Sequence, residues 1–384
     1  MKLQSRLLTA AAVIAAAVAG PAARALVSLQ DGLDHAYVNA TVAEGYDSNV
    51  FANSLSGGSF VTEGSLGIEF TRRAGWIGVN AAAELDFARY ADFRSQDYVD
   101  PKVTAEFTKQ SGRTTGSLTM SIQKQDRADV DVNTRDTAWI YDVGLNLQYP
   151  VIERYSLTGT LDYNQTDYLD KALFTDLTTY TGNLYLYYIL NDERDLFLDT
   201  RARYTNEGAG VDSLDKALSA GVSGRVYGPF NGSVQGGLQE RTVNRGPEKG
   251  TYLDFTASGT ATWNLNRRMT LTANLSRDFS TTAEAQSIED SSAGLTFQDS
   301  LTARASLTLI GTVGENRFLG DDAIIDPSGE RRTDYFYALS AQYYYTINEH
   351  LKCSVTYSYY RGFSDLAIAD FPREQVFLSL TSHW

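Results

Sequence analysis

Short and long connections alternate along this chain from one end to the other. The tight links are RAG (73–75), SGR (111–113), IER (152–154), NDER (191–194), GPF (228–230), NRR (266–268), DS (299–300) and INEH (347–350). Between them stand ANSLSGGS, ADFRSQD, VDVNTRD, LDKALFTD, EGAGVDS, NRGPEKG, TTAEAQSIED, LGDDAIIDPSGERR and SDLAIADFP. A soluble sandwich or propeller has no reason to sort its loops this way, because neither of its ends meets a different compartment. A transmembrane barrel has one, with short turns at one rim and long loops at the other.

The segments between the links carry a period of two. SLTMSIQKQ sets Leu118, Met120 and Ile122 against Ser117, Thr119, Ser121 and Gln123, and VGLNLQY sets Val143, Leu145, Leu147 and Tyr149 against Asp142, Asn146 and Gln148. Neighbouring side chains of a strand point to opposite faces, so each segment offers one apolar and one wet surface. Strands are predicted near 36–48, 60–72, 76–90, 98–109, 114–127, 137–149, 155–168, 177–189, 195–206, 214–227, 231–243, 251–264, 269–280, 289–298, 301–317, 332–345, 351–363 and 374–384. Most exceed the roughly five or six residues of a globular strand and reach the nine to eleven that a tilted membrane strand needs. In lipid every backbone N–H and C=O must be paired internally, which leaves only helices and closed sheets. No stretch after residue 25 approaches 18 apolar residues. The expected fold is therefore all-β: a transmembrane antiparallel up-and-down barrel of about 18 strands, with short periplasmic turns and long extracellular loops.

The start of the chain agrees with export. MKLQSRLLTAAAVIAAAVAGPAARA has Lys2 and Arg6, an apolar run from Leu7 to Gly20, and an A-x-A site at Ala23–Ala25. This pattern predicts a signal peptide over 1–25, a short periplasmic segment over 26–35 and the barrel over 36–384. Of 33 basic residues, loss of Lys2, Arg6 and Arg24 leaves 30 against 47 acidic ones, about −17. Nucleic acid is thereby excluded as an expected partner. The single Cys353 excludes an intramolecular disulfide framework.

The chain holds 24 Tyr, 17 Phe and 4 Trp, and many stand near strand ends, as interfacial girdles require. Trp76, Tyr90, Trp139, Tyr149, Tyr155, Tyr168, Trp263, Phe279, Tyr345 and Trp384 are the expected girdle. Alternation assigns to the lumen Glu84, Asp86, Glu106, Gln123, Arg127, Asp142, Asn146, Asp162, Asn164, Asp199, Arg201, Arg203, Arg225, Gln235, Arg241, Asp254, Asn274, Arg304, Gln342, Tyr344 and Lys352. Charges of both signs among amides, hydroxyls and tyrosines wet a lumen and can bind sugar hydroxyls. A barrel of sixteen to eighteen strands leaves an aqueous channel.

Chemistry beyond transport has little to stand on. The only histidines are His35, His350 and His383, none of them mid-strand beside a serine. No catalytic residue, metal site or cofactor is expected, and GDDAIIDPSGE lacks EF-hand spacing. That loop is instead a candidate constriction.

GYDSNVF (45–51), at the end of the first barrel strand, resembles a signature of Gram-negative outer-membrane barrels. These are the β-barrel porin type 2 family and the related exopolysaccharide-export barrels. The likeness extends to YSYYRGFSDLAIADFPREQVFLSLTSHW (357–384), similar to that family's closing strands. The resemblance marks Tyr46, Asp47, Ser48 and Asn49 as the family motif, and Leu378, Leu380 and Trp384 as the barrel-assembly signal. Trp384 stands where a terminal Phe is commoner. The residues themselves suggest that Asp47, Ser48 and Asn49 end a strand as turn formers, with Tyr46 and Phe51 anchored at the headgroups.

The resemblance implies a channel in the bacterial outer membrane, both termini periplasmic, that passes an extracellular polysaccharide. The acidic balance favours a neutral or weakly charged polymer. Expected partners are outer-membrane lipid and lipopolysaccharide, polysaccharide in the lumen, periplasmic polysaccharide-export proteins and the barrel-assembly machinery. A general or substrate-specific diffusion porin for small solutes is the alternative function, and a surface structural or adhesive barrel a further one.

Overall fold

The computed structural model describes residues 27–29, 34–55, 57–73, 75–208, 211–246, 248–320 and 331–384. The predicted signal segment, half of 26–35 and residues 321–330 of the GDDAIIDPSGE loop lie outside the described residues.

Among the described residues nineteen strands form one sheet. A short β1 (Val27–Leu29) pairs with the first long strand, β2 (Asp34–Asp47). Next come β3 (Ser59–Arg72), β4 (Gly78–Tyr90), β5 (Tyr98–Lys109), β6 (Thr115–Asp129) and β7 (Thr134–Ile152). They are followed by β8 (Tyr155–Tyr168), β9 (Leu177–Asn191), β10 (Arg194–Asn206), β11 (Asp212–Tyr227), β12 (Phe230–Val243) and β13 (Gly250–Asn264). The last six are β14 (Met269–Thr281), β15 (Ser287–Asp299), β16 (Ala305–Phe318), β17 (Thr333–Thr346), β18 (Leu351–Ser364) and β19 (Pro372–His383).

From β2 to β19 each strand pairs antiparallel with its chain neighbours, and β19 returns to β2 through Gln375↔Asp47 to His383↔Asn39. Trp384 and Val38 then exchange both backbone hydrogen bonds, at 2.8 and 2.9 Å. The result is a closed barrel of 18 strands, and closure leaves no sheet edge for another chain to extend. Both ends of the barrel stand at the rim of tight turns, where Trp384 stacks on His350 with centroids 4.1 Å apart. β2 starts two residues earlier than the sequence predicts, and β16 starts at Ala305 rather than 301.

The usual arrangement of a globular core is inverted. Leu66, Ile68, Leu161, Leu218, Leu238 and Leu253 are all more than half exposed on the outer face. Buried residues are mainly polar and lie inside: Asp47, Asp199, Asp215, Gln239, Arg241 and Glu289 are each below 5% exposure. Such a molecule is stable only where hydrocarbon covers its outer face.

Candidate transport lumen

Register places nearly every predicted lumen residue on the inner face. Glu84 pairs with Lys102 and Asp86 with Asp100, and Asn80 reaches Glu106 at 3.4 Å. Asp142 accepts hydrogen bonds from Ser121 (2.9 Å) and Asn164 (2.6 Å), in line with Asn146 and Asp162 along the same face. Asp199, Arg201, Arg203 and Arg241 face inward together. Gln235, Asp254 and Asn274 follow, as do Gln342, Tyr344 and Lys352 through their register with Thr308, Ser306 and Thr346. Gln123 pairs with Ile140 in the same register.

Two assignments differ. Arg304 is not on a lumen wall: it belongs to the exposed β15–β16 turn, where Thr302 closes on Ala305 at 3.1 Å, and its carbonyl accepts from Thr346. Arg225 sits on the tight-turn rim, ion-paired to Glu193 at 2.7 Å.

The wall is continuous at the tight-turn half and is rebuilt at the long-loop half. β5 and β6 pair only from Lys102↔Gln123 to Lys109↔Gly116, although both strands continue beyond. Past Gln123, β6 stays with β7 as far as Asp129↔Thr134, and the hairpin leans into the barrel. The lumen-facing Asp100 takes over the abandoned ladder, accepting from Asp126 N at 2.8 Å and Lys124 Nζ at 2.9 Å. Arg135 of the same hairpin bonds the Tyr90 hydroxyl at 3.1 Å and lies over the Tyr90 and Tyr98 rings. Arg127 of this hairpin lies between Asp129 (2.8 Å) and Asp136 (3.4 Å).

A second hairpin does the same from farther round the ring. β13 and β14 pair only from Ala257↔Arg277 to Asn264↔Thr270. Beyond, the carbonyls of β14 are met by cations on the lumen wall: Arg203 donates to Phe279 O, and Arg241 to Ser280 O at 2.6 Å. Asp278 receives Arg201 and Arg203, and Asp215 receives Arg203 and Arg241, so that a five-membered charge network holds the hairpin down. Unpaired backbone groups in so dry a place would be costly, and this network satisfies them.

The long-loop mouth is bridged between these features. Asn316 of β16 donates to Asp131, at the tip of the first hairpin, at 2.7 Å. Strands β6 and β16 stand eight apart by the shorter way round a ring of 18, so this bond spans the opening. Asn53 donates to Asn133 O at 3.2 Å, and Thr175 N to Ala283 O at 3.0 Å. The constriction is thus seen at VDVNTRD and TTAEAQSIED.

Several aromatic and motif residues lie elsewhere than expected. Tyr90, Tyr168 and Phe279 are buried inside rather than in a girdle, and Phe51 packs with Val50, Val61 and Tyr90 under the mouth, not at the headgroups. The outward aromatics of that rim are Tyr46, Phe60, Tyr180, Tyr204, Tyr335 and Phe363. Tyr149, Tyr155 and Tyr345 do face outward near the tight turns.

The remaining motif residues form the seam of the barrel. Asp47 accepts from Arg373 Nη2 at 2.6 Å, Gln375 Nε2 at 3.1 Å and Asn49 N at 2.9 Å. Ser48 Oγ accepts from Glu374 N at 2.7 Å, and Asn49, fully buried, donates to Asn53 O at 2.7 Å. Gly45 is required beside them, because a Cβ there would meet the Phe377 ring at 2.3 Å. Leu378 faces outward and Leu380 shares its parity, while Trp384 extends the seam.

The model of the family described as Putative beta-barrel porin 2 matches residues 199–383. That match takes in 185 residues, just under half of the chain, and with the closed wall of 18 strands it supports an outer-membrane β-barrel of the porin type. Among solved structures, the porin is similar to OpdK of Pseudomonas aeruginosa with vanillate: TM-score 0.49, 11% identity, covering 91% of this chain and 99% of that one. OccK2 (OpdF) of the same organism, in complex with glucuronate, gives 0.47 and 11% over 91% and 98%. OccAB3 of Acinetobacter baumannii gives 0.45 and 11% over 91% and 99%. No curated protein matches the sequence.

Sequence reasoning missed much of what lines the porin's lumen. Glu63, Asp100, Lys102 and Asp126 join the predicted Asp86 around one cavity of about 430 Å³, and Tyr185, Tyr187 and Phe197 stand at another of about 470 Å³. Parity alone could have found the tyrosines, since Tyr185 and Tyr187 share a face with Asn183, which bonds Thr160 at 2.8 Å inside.

Proposed function

We propose that this porin is a substrate-selective channel for small polar solutes, with its long loops at the cell surface and both chain ends in the periplasm. The bridged mouth carries this conclusion. A polysaccharide in transit needs a bore open along its whole length, and here Asp131–Asn316 crosses the opening while Asn53–Asn133 ties the same hairpin to the β2–β3 loop. The space beneath includes cavities of about 430 and 470 Å³. These fall in the roughly 300–1,000 Å³ range of small-ligand clefts. The lining supports selectivity rather than bulk leakage, because ion pairs and amides place fixed donors and acceptors along the path.

The test is swelling of liposomes carrying the purified protein. Mono- and disaccharides or amino acids should enter at rates that depend on their chemistry as well as on their size. Entry that ignores chemistry would indicate a general pore. No small-solute entry, combined with loss of surface polysaccharide on gene deletion, would restore the export function.

A further inference from the structure

Deep in the barrel three rings converge. Tyr187 lies 5.2 Å from Phe197, and Tyr185 lies 6.1 Å from each of them, centroid to centroid. All three face the lumen, since Tyr185 pairs with Asp199 and Tyr187 with Phe197. Phe197 is held close to the wall by Gly221, where a Cβ would come within 2.4 Å of the ring. Across the 470 Å³ cavity that the rings border, most of the lining residues carry a hydroxyl or an amide, Ser233, Gln235, Ser258, Thr260, Asn274 and Thr312 among them, with Leu275 and two glycines between. Among the described residues no charged side chain lines it, and Asp199 stands behind Gln235 at its edge.

Beside the rings Asp199 is 4% exposed, and its Oδ1 has no hydrogen-bond partner among the described residues. Its Oδ2 receives only Gln235 Nε2, at 3.4 Å. An ionised carboxylate accepts up to about four hydrogen bonds and is costly to bury with so few. Asp215, on the same wall, takes bonds from both Arg203 and Arg241. Asp199 therefore stands out as an acceptor short of donors beside an aromatic floor.

Resting on the transport function above, we infer that Tyr185, Tyr187, Phe197 and Asp199 form a binding subsite for a neutral sugar ring. The apolar face of a pyranose stacks on the aromatic side chains, its hydroxyls donate to Asp199, and its remaining oxygens meet the serine, threonine and amide wall. The subsite slows the solute at one station on its way and selects ring-shaped polyols from other solutes of equal size. An organic cation would also suit a carboxylate and rings, but the opposite wall offers neutral hydroxyls and amides where a cation would be matched by further acids.

The measurement is single-channel current in planar bilayers with maltose added, against choline and arginine as cationic probes. Maltose should interrupt the current in the native barrel. Its half-blocking concentration should rise about fivefold in Tyr185→Ala, the scale of one lost ring contact, and severalfold in Asp199→Asn. The lipid-facing Leu184→Ala on the same strand should behave as wild type. Heat-dependent gel mobility checks that each variant folds. Block by choline at lower concentration than by maltose overturns the sugar assignment, as does a Tyr185→Ala barrel that maltose still blocks unchanged. A conducting barrel indifferent to maltose overturns the subsite while leaving the channel intact. If the barrel does not conduct at all, titration calorimetry with maltose in an amine-oxide detergent decides. Binding heat lost in Tyr185→Ala upholds the subsite while the channel function falls, and no heat overturns the subsite.

Discussion

Arg373 and Asp47 stand 326 residues apart in sequence and meet in a two-point ion pair, Nη2–Oδ2 at 2.6 Å and Nε–Oδ1 at 3.1 Å. The pair joins the last strand to the first at the rim where long loops begin. With the Asp47 side chain only 2% exposed, its partner cannot be replaced by water. Arg373→Ala should cost about 3–5 kcal/mol, the range for stranding one member of a buried pair. The check is the temperature at which the compact gel band converts to the slow one. Removing both partners should cost less than the sum of the single changes. Strictly additive losses would mean that the pair is not what holds the seam.

The hairpin tip at Val130–Asn133 crosses to Asn316, and Asn133 takes up a left-handed φ of 56°, a conformation that asparagine tolerates better than most residues. Replacing 128–135 by a two-residue Asn-Gly turn should keep the barrel and open its mouth. Unitary conductance in planar bilayers should rise severalfold, and oligosaccharides too long for the native protein should enter liposomes. A conductance no greater than that of the wild type would place the narrowest point elsewhere.

The same bridge should respond to pH. Burial, with Asp129 and Asp290 nearby, pushes the Asp131 carboxyl up to about 7, against the weaker pull of Arg127. Asp334 adds to the rise, and Arg332 touches the Asp131 carbonyl at 3.4 Å. A group whose pKa is raised in the closed state favours that state while protonated. Closure is thus supported fully below about 4, the ordinary range of a free carboxyl, and its support fades as pH climbs to about 7. Conductance should increase between pH 5 and pH 8. In Asp131→Asn, which stays neutral and still accepts from Asn316, that increase should flatten. A slope unchanged by the substitution would assign it to other groups.

How much of this was legible depends on what a period of two can encode. Alternation and turn length gave 18 strands within a few residues, because lipid on one side and water on the other enforce the pattern at every position. The inward hairpins were not legible. From Lys124 to Asp129 and from Asp278 to Thr281 the strands keep pairing with one neighbour, so nothing in the local sequence marks their leaving the other. Tyr90 and Tyr168 could have been placed inside, since they share parity with Asp86 and Asn164. Phe279 could not: it shares parity with the outward Leu275 and is enclosed only because its hairpin bends inward under Arg241. Arg304 was lost to a turn that reads locally as the start of a strand.

Leu218 offers a way to ask what covers the outside of the barrel. It stands mid-strand on β11, 59% exposed, opposite Leu238 at 63%. In a water-soluble protein an arginine at so open a site would change stability by about 0.5 kcal/mol or less. Facing the middle of a bilayer, Leu218→Arg should instead cost about 2–4 kcal/mol. Outward positions nearer the rim, such as Leu214 on the same strand, should lose much less with the same change. Folding the variants into lipid vesicles and titrating them with denaturant gives both numbers. A loss that peaks at mid-strand and fades toward the rims identifies hydrocarbon as the solvent of this face, whereas a flat profile would leave the exposed leucines covered by protein.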